Sequence, residues 1–293
     1  MLKNKQNLFV CCSLILAFLC VHAEIFAQKQ PNLQQIYSKE KKRTGKRPII
    51  IVPGILGSSL KNRETNEDVW YSVRRSKDDD LDLPVALDLK SSKDNLVPND
   101  VIRKINIRLL PDIKVYQSLI ETLSKYGGYE EASWENPPKD LNDKFFVFPY
   151  DWRRDNVETA HLFIKKIEKL RVDSKQPRAK FNVLAHSMGG LVTRYALMYG
   201  KADLPKGKPK PTWAGEKYFS KVFLFGVPNE GSIGALETLF EGRSSLGTGI
   251  DLPFVRELSP TDVATMPSIF QLIPHKRTGR YYDENLKPIK LDL

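Results

Sequence analysis

The chain has 293 residues, 41% of them hydrophobic and 28% charged, and carries a formal net charge of +11. That length suits one large α/β domain or two small ones. All three cysteines, Cys11, Cys12 and Cys20, lie near the start, so the body of the chain must be held by packing and not by disulfides.

Residues 1–23 read as a secretory signal peptide. Lys3 and Lys5 supply its positive start, residues 8–21 its apolar middle, and Val21-His22-Ala23 a small-residue cleavage site. The apolar run is short for a membrane span, which favours export, periplasmic or extracellular, over anchoring. Lipoprotein attachment at Cys20 is the alternative, with Phe18 and Leu19 bulkier than such a site usually takes. Cleavage after Ala23 leaves a charge of about +9. Residues 24–47 form a basic leader containing Lys39, Lys41, Lys42, Arg43, Lys46 and Arg47, and a second basic stretch holds Lys206, Lys208 and Lys210. These read as solvated segments, or as a means of attraction to an anionic lipid surface. Nucleic acid is disfavoured as a partner, because no recognition motif is present.

Further along, residues 48–52 form a continuous apolar run ending at Pro53-Gly54, the pattern of a fully buried strand. Residues 61–101 are charged and broken, with Trp70 and Tyr71 as the main aromatics. The acidic group Asp78-Asp79-Asp80-Leu81-Asp82 lacks the glycine turn and terminal glutamate of a calcium loop, so no metal is expected there. Val115, Leu119, Ile120 and Leu123 recur at helical spacing, and Gly127-Gly128 stops that helix. Residues 145–148 give a second buried strand. Asp155 or Asn156 caps a helix whose apolar face is Ala160, Phe163, Ile164, Ile167 and Leu170. Residues 181–184 predict a third strand, and Val222-Phe223-Leu224-Phe225 the core of a fourth buried one. Buried strands alternating with amphipathic helices predict an α/β fold, a mainly parallel sheet covered on both faces, over residues 48–230. Residues 231–293 show no further buried strand and read as a cap-like segment.

The chemistry is concentrated at Ala185-His186-Ser187-Met188-Gly189-Gly190, where the third strand turns sharply into a helix. A serine at such a bend is a nucleophile elbow, its hydroxyl projected above the sheet edge. The small residues around it let strand and helix pass closely, Ala185 replacing the commoner glycine. A serine between strand and helix can also be a simple helix cap. Acyl transfer further requires a base near the hydroxyl and two backbone N–H groups aimed at the oxyanion. The N–H of Met188 follows from the elbow, and the loop at residues 53–60, with Gly54 and Gly57, is placed to supply the second.

Three segments in this order, Pro48-Ile49-Ile50-Ile51-Val52-Pro53-Gly54-Ile55-Leu56-Gly57-Ser58, Pro149-Tyr150-Asp151-Trp152-Arg153 and the elbow, resemble the lecithin:cholesterol acyltransferase family of α/β-hydrolases. The stretch at residues 267–274 resembles that family's Pro-Ser-hydrophobic piece of the cap. The resemblance implies a lipid acyl-ester hydrolase or O-acyltransferase with Ser187 as nucleophile, exported if residues 1–23 act as a signal peptide; no metal cluster or nucleotide loop in the sequence calls for a cofactor. It implies Leu56 and Met188 as oxyanion donors, and Trp70 near the acyl pocket. Asp151 and Arg153 read as a buried structural pair with Trp152 beneath the site.

In this fold the acid and then the histidine follow the nucleophile. Of the four histidines, His22 lies in the signal, His161 on a helix before Ser187, and His186 beside it, where it packs against the elbow. Only His275 lies downstream, and Asp251 and Asp262 follow no strand. The expectation is a triad whose acid and base are not found in this chain, an N-terminal part of a longer enzyme. The competing expectation is a non-catalytic lipid-surface protein that keeps the elbow.

Overall fold

The computed structural model describes residues 32, 38, 41–71, 81–105, 113–242, 258–274, 281–282 and 285–289. The signal-peptide reading, Cys20, Asp78 to Asp80, Asp251 and His275 lie outside the described residues. In chain order come β1 (Ile49–Val52), β2 (Ser58–Asn62), β3 (Asp68–Trp70), β4 (Leu96–Val101), β5 (Lys104–Ile105) and β6 (Ile113–Lys114). Then follow α1 (Gln117–Lys125), β7 (Glu130–Glu131), β8 (Lys144–Val147), α2 (Asn156–Asp173), β9 (Phe181–His186), α3 (Met188–Tyr199) and β10 (Phe219–Phe225). The remainder holds α4 (Ile233–Glu241), α5 (Pro260–Ala264), α6 (Pro267–Phe270) and a hairpin of β11 (Tyr281–Tyr282) with β12 (Pro288–Ile289).

The main sheet runs β10-β9-β1-β8-β7, every pairing parallel. Away from their ends its central strands are apolar, Asn182 of β9 aside, because both faces are covered. Ile49 and Ile51 of β1 meet Tyr116 and Ile120, with Leu119 and Leu123 beside them, so α1 closes one face. Ile50 and Val52 join Phe146, Phe163, Val183 and Val192, so α2 and α3 close the other. In α2 the Asp155 side chain accepts from the Val157 N–H, and Ala160, Phe163, Ile164, Ile167 and Leu170 are fully buried as their spacing predicts. Each of the four larger side chains contributes about 1.5–3 kcal/mol of burial. This is the α/β-hydrolase class of sheet. Among the described residues, no helix is long and apolar enough to cross a membrane.

Four expectations need correction. Val115 precedes α1 and is exposed, so the helix face is narrower than its spacing suggests. The fourth strand forms, but it is not buried: Phe223, Leu224 and Phe225 of β10 are 45%, 43% and 50% exposed. As the end strand it has a neighbour, β9, on one side only among the described residues. Lys46 does not belong to a solvated leader, because its side chain is buried and its Nζ lies 3.0 Å from Asp143 Oδ1. Residues 61–101 are not merely broken loop, since part of that stretch folds into a small antiparallel sheet, β3-β2-β4, with Leu60 opposite Trp70 and Pro98.

After β8, Tyr150, Asp151, Trp152 and Arg153 are all buried. The Arg153 guanidinium donates to both Asp151 oxygens at 2.9 and 2.8 Å and to both Asp94 oxygens at 2.6 and 2.9 Å. Burial works against its charge, but Asp151 and Asp94 outweigh that and raise its pKa further above the usual arginine range. The expected Asp–Arg pair is therefore a triad of charges. Removing one partner strands the others. Asp151→Asn is expected to lower unfolding free energy by about 3 kcal/mol, measured by urea denaturation. An unchanged midpoint with normal soluble yield would remove the structural role.

Candidate active site

Ser187 joins β9 to α3 with φ +50° and ψ −127°, a left-handed conformation that costs a non-glycine residue on the order of 1–3 kcal/mol. Its N–H donates to the Phe225 carbonyl at 2.8 Å, and its own carbonyl accepts from Gly190 N–H at 2.9 Å. The bend is possible because backbone passes close on both sides. A Cβ on Gly189 would stand 2.2 Å from the Pro53 carbonyl oxygen, and one on Gly190 2.1 Å from Val227 Cγ2. A Cβ on Gly54 would lie 2.8 Å from Ser187 Cβ and 3.3 Å from its Oγ. The loop after β1 is thus pressed against the serine.

That loop is fixed by hydrogen bonds from aromatic side chains. Tyr150 Oη donates to the Pro53 carbonyl at 2.8 Å, and Trp70 Nε1–H to the Leu56 carbonyl at 3.0 Å. Trp152 Nε1–H donates to the Ser58 carbonyl at 3.1 Å. Gly54 N–H donates to Tyr116 Oη at 2.8 Å, and that oxygen lies 2.8 Å from His186 Nδ1. The phenol oxygen can accept twice, so the bond joins either a phenol donor to the Nδ1 of a ring protonated on Nε2, or an Nδ1–H donor to the phenol. Partial burial lowers the imidazole pKa and favours the neutral ring in either tautomer.

Leu56 also has a left-handed φ of +62°. Its N–H and that of Met188, at the first turn of α3, have no acceptor among the described residues. Leu56 and Ser187 both line a cavity of about 210 Å³, closed by Ala235 and Thr238 of α4 and by Leu258, Ile269 and Leu272. Its roof is pinned to the segment after β8: Ser268 N–H reaches the Arg153 carbonyl, and Gln271 bonds both Asn156 N–H and the Asp155 carboxylate. The cavity is small and largely apolar, with a hydroxyl at one wall.

Other predicted residues fall elsewhere. Trp70 is buried beneath the loop, stacked edgewise on Trp152 at 5.3 Å, and does not line the cavity. His161 sits on α2 with Nε2 3.0 Å from the Ala202 carbonyl oxygen, remote in function from the serine. Asp262 is spent on a capping box with Ser259 at the start of α5. Ser187 Oγ has no hydrogen-bond partner among the described residues. Tyr116 was not singled out by sequence, since an aromatic just before a helix carries no distinguishing pattern.

Residues 100–279 match the sequence model of the lecithin:cholesterol acyltransferase family, a span that includes Asp151 and Arg153, the elbow and α4 to α6. The chain belongs to the lecithin:cholesterol acyltransferase family. The protein named lecithin-cholesterol acyltransferase-like 4 from Arabidopsis thaliana is 28% identical over 254 residues, 77% of this chain and 42% of the relative. The lysosomal phospholipase A and acyltransferase of Homo sapiens is 25% identical over 250 residues, 74% of this chain and 59% of the relative. The chain therefore spans about two fifths to three fifths of the length of these curated relatives. Among solved structures, that of the Tle4–Tli4 complex aligns with a TM-score of 0.42 at 16% identity, covering 84% of this chain and 60% of that one.

Two outcomes test this geometry. Gly54→Ala must push loop and serine apart, costing about 1–3 kcal/mol in a packed site. Labelling of Ser187 by a fluorophosphonate is expected to slow at least about tenfold while the chain stays folded. Tyr116→Phe leaves Gly54 N–H and His186 Nδ1 without their partner and is expected to cost about 2 kcal/mol at neutral pH. Burial pushes the Tyr116 pKa up to about 12, against a small opposing effect of the Gly54 N–H. The neutral phenol is thus favoured in the fold. Its contribution is complete below about pH 10, the unfolded value, and is lost as pH rises through the folded one. Wild type and Tyr116→Phe should accordingly converge in stability above pH 10, measured by denaturation across an alkaline series.

Proposed function

We propose that this chain carries the nucleophilic half of a serine-dependent lipid acyl-ester hydrolase or O-acyltransferase. The observation that carries the reading is Ser187 itself: a strained serine at a strand-to-helix bend, opening on an apolar cavity with the Leu56 loop pressed against its hydroxyl. Family membership and the names of both curated relatives support the lipid ester class. In the proposed reaction Ser187 Oγ attacks the ester carbonyl carbon while a base takes its proton. Negative charge on the carbonyl oxygen is met by the N–H groups of Leu56 and Met188. The carbon–oxygen bond to the leaving alcohol then breaks and the alcohol receives that proton, leaving an acyl-serine. Water or a second alcohol repeats the sequence to release the acid or a new ester. A cavity of about 210 Å³ accommodates part of an acyl chain, not a whole lipid.

The acid and base of this reading stand on polypeptide other than the described residues. Supporting it are the unpartnered Ser187 Oγ, the greater length of the relatives and the open face of β10. Loss of the base alone can cost on the order of a million-fold, leaving roughly a thousand- to ten-thousand-fold from the oxyanion donors and binding. The same unpartnered hydroxyl favours a second reading, a chain that keeps the elbow without ester turnover. Export rests on the N-terminal pattern, and contact with an anionic lipid surface on exposed Lys206, Lys208 and Lys210.

An active-site fluorophosphonate should label wild type and not Ser187→Ala, read by intact mass. Equal labelling of both would take Ser187 out of the mechanism. Labelling without fatty-acid release from phosphatidylcholine vesicles above buffer would favour the second reading.

A further inference from the structure

A second, larger cavity of about 590 Å³ lies between the first turns of α2 and the segment leading into β4. It shares no lining residue with the cavity at Ser187. Its apolar wall is built by Leu96, Val97, Pro98, Leu162 and the Tyr150 ring. Around it stand five cations: Arg63 after β2, Lys90 and Lys93 before β4, and Arg154 and Lys165 at α2.

The carboxylates at this cavity are already taken. Both oxygens of Asp94 and both of Asp151 are bonded to Arg153. Glu158 accepts from Arg154 at 3.2 and 2.5 Å, and Arg154 also donates to the Ser92 carbonyl at 2.6 Å. The remaining titratable wall group, His161, is bonded to the Ala202 carbonyl and lies 4.0 Å from Asp203. The side chains of Arg63, Lys90, Lys93 and Lys165 have no carboxylate partner among the described residues. Four like charges from three chain segments thus converge on one concavity, where Asp94 and Asp151, sharing Arg153, leave a single negative charge against them. Such an arrangement, backed by a low-dielectric wall, concentrates a multivalent anion.

We infer that this cavity is a binding site for a phosphate ester bearing an apolar group, with Arg63, Lys90, Lys93 and Lys165 at the phosphate and the Leu96, Pro98 and Leu162 wall at the apolar part. A phosphomonoester carries about −1.5 to −2 charge and three acceptor oxygens, which suits several separate cations better than a carboxylate does. The apolar wall distinguishes such an ester from free phosphate. The same chemistry is offered by a soluble phosphate monoester and by the monoester headgroup of a phosphatidic acid with the first methylenes of its chains.

The test is calorimetric titration of the full chain with hexyl phosphate at low salt, with inorganic phosphate and monomeric dihexanoyl phosphatidic acid as competitors. Hexyl phosphate should bind, and more tightly than inorganic phosphate. The variant Arg63→Gln/Lys90→Gln/Lys93→Gln/Lys165→Gln should weaken it at least tenfold. Lys90→Gln/Lys93→Gln, a milder change, should weaken it about threefold or more, and Leu162→Gln should erase the preference over inorganic phosphate. Melting temperature and fluorophosphonate labelling of Ser187 should be unchanged in all three. Competition by the phosphatidic acid assigns a lipid headgroup, and its failure to compete assigns a soluble ester, each supporting the site. No binding to wild type, or unchanged affinity in the charge variants, would overturn it.

Discussion

The site depends on one loop being held still. Between Pro53 and Ser58 the chain must press against the serine, leave the Leu56 N–H uncommitted and keep Leu56 at φ +62°. Such a conformation persists only where its surroundings over-determine it. Here Tyr150, Tyr116, Trp70 and Trp152 each bring a polar tip to a different backbone group of the loop. An aromatic side chain suits this task, because its body fills the core while its single donor or acceptor is aimed by few rotatable bonds. The Leu56 N–H is therefore held in place by the surrounding packing, the preorganisation that the proposed oxyanion role requires.

The same region also positions the roof. Arg153 gathers Asp151 from its own segment and Asp94 from the approach to β4, and its backbone carbonyl receives Ser268 from the cap. Leu83 N–H reaches Thr265 Oγ1, and Gln271 grips the start of α2. A buried charge cluster is a poor source of net stability compared with apolar packing. Its effect here is to specify relative placement: the segment that supports the loop from below also anchors the helices that close the cavity from above.

Much of this was legible in sequence where the signal is local. The runs at β1, β8 and β9 are continuous and apolar because both faces are covered, and the elbow announces itself by small residues around Ser187. The buried face of α2 follows from spacing alone. What escaped depends on distant pairing. Tyr116 acts on Gly54 from 62 positions away, and Asp94 meets Arg153 across 59. The small sheet of β2, β3 and β4 hid among charges because its strands bury few side chains each, leaving little alternation to read. Phe223 to Phe225 looked buried because an apolar run gives composition but not neighbours. Trp70 was expected at the acyl pocket by family resemblance, whereas its hydrogen bond to Leu56 places it under the loop.

The exposure of β10 bears directly on the proposed chemistry. A sheet edge with half-open phenylalanines invites a further strand, and natural proteins usually cover such edges. β10 pairs with the elbow strand through Phe225 opposite His186, and the Phe225 carbonyl accepts from Ser187 N–H. A parallel strand added outside β10 would end two strand spacings from the nucleophile, about 10 Å. A side chain on the loop after such a strand would span that gap. In α/β-hydrolases the acid and the base follow the nucleophile in sequence. Among the described residues, the open edge of β10 therefore lies one strand from the elbow, on the side where a further parallel strand has room to pair.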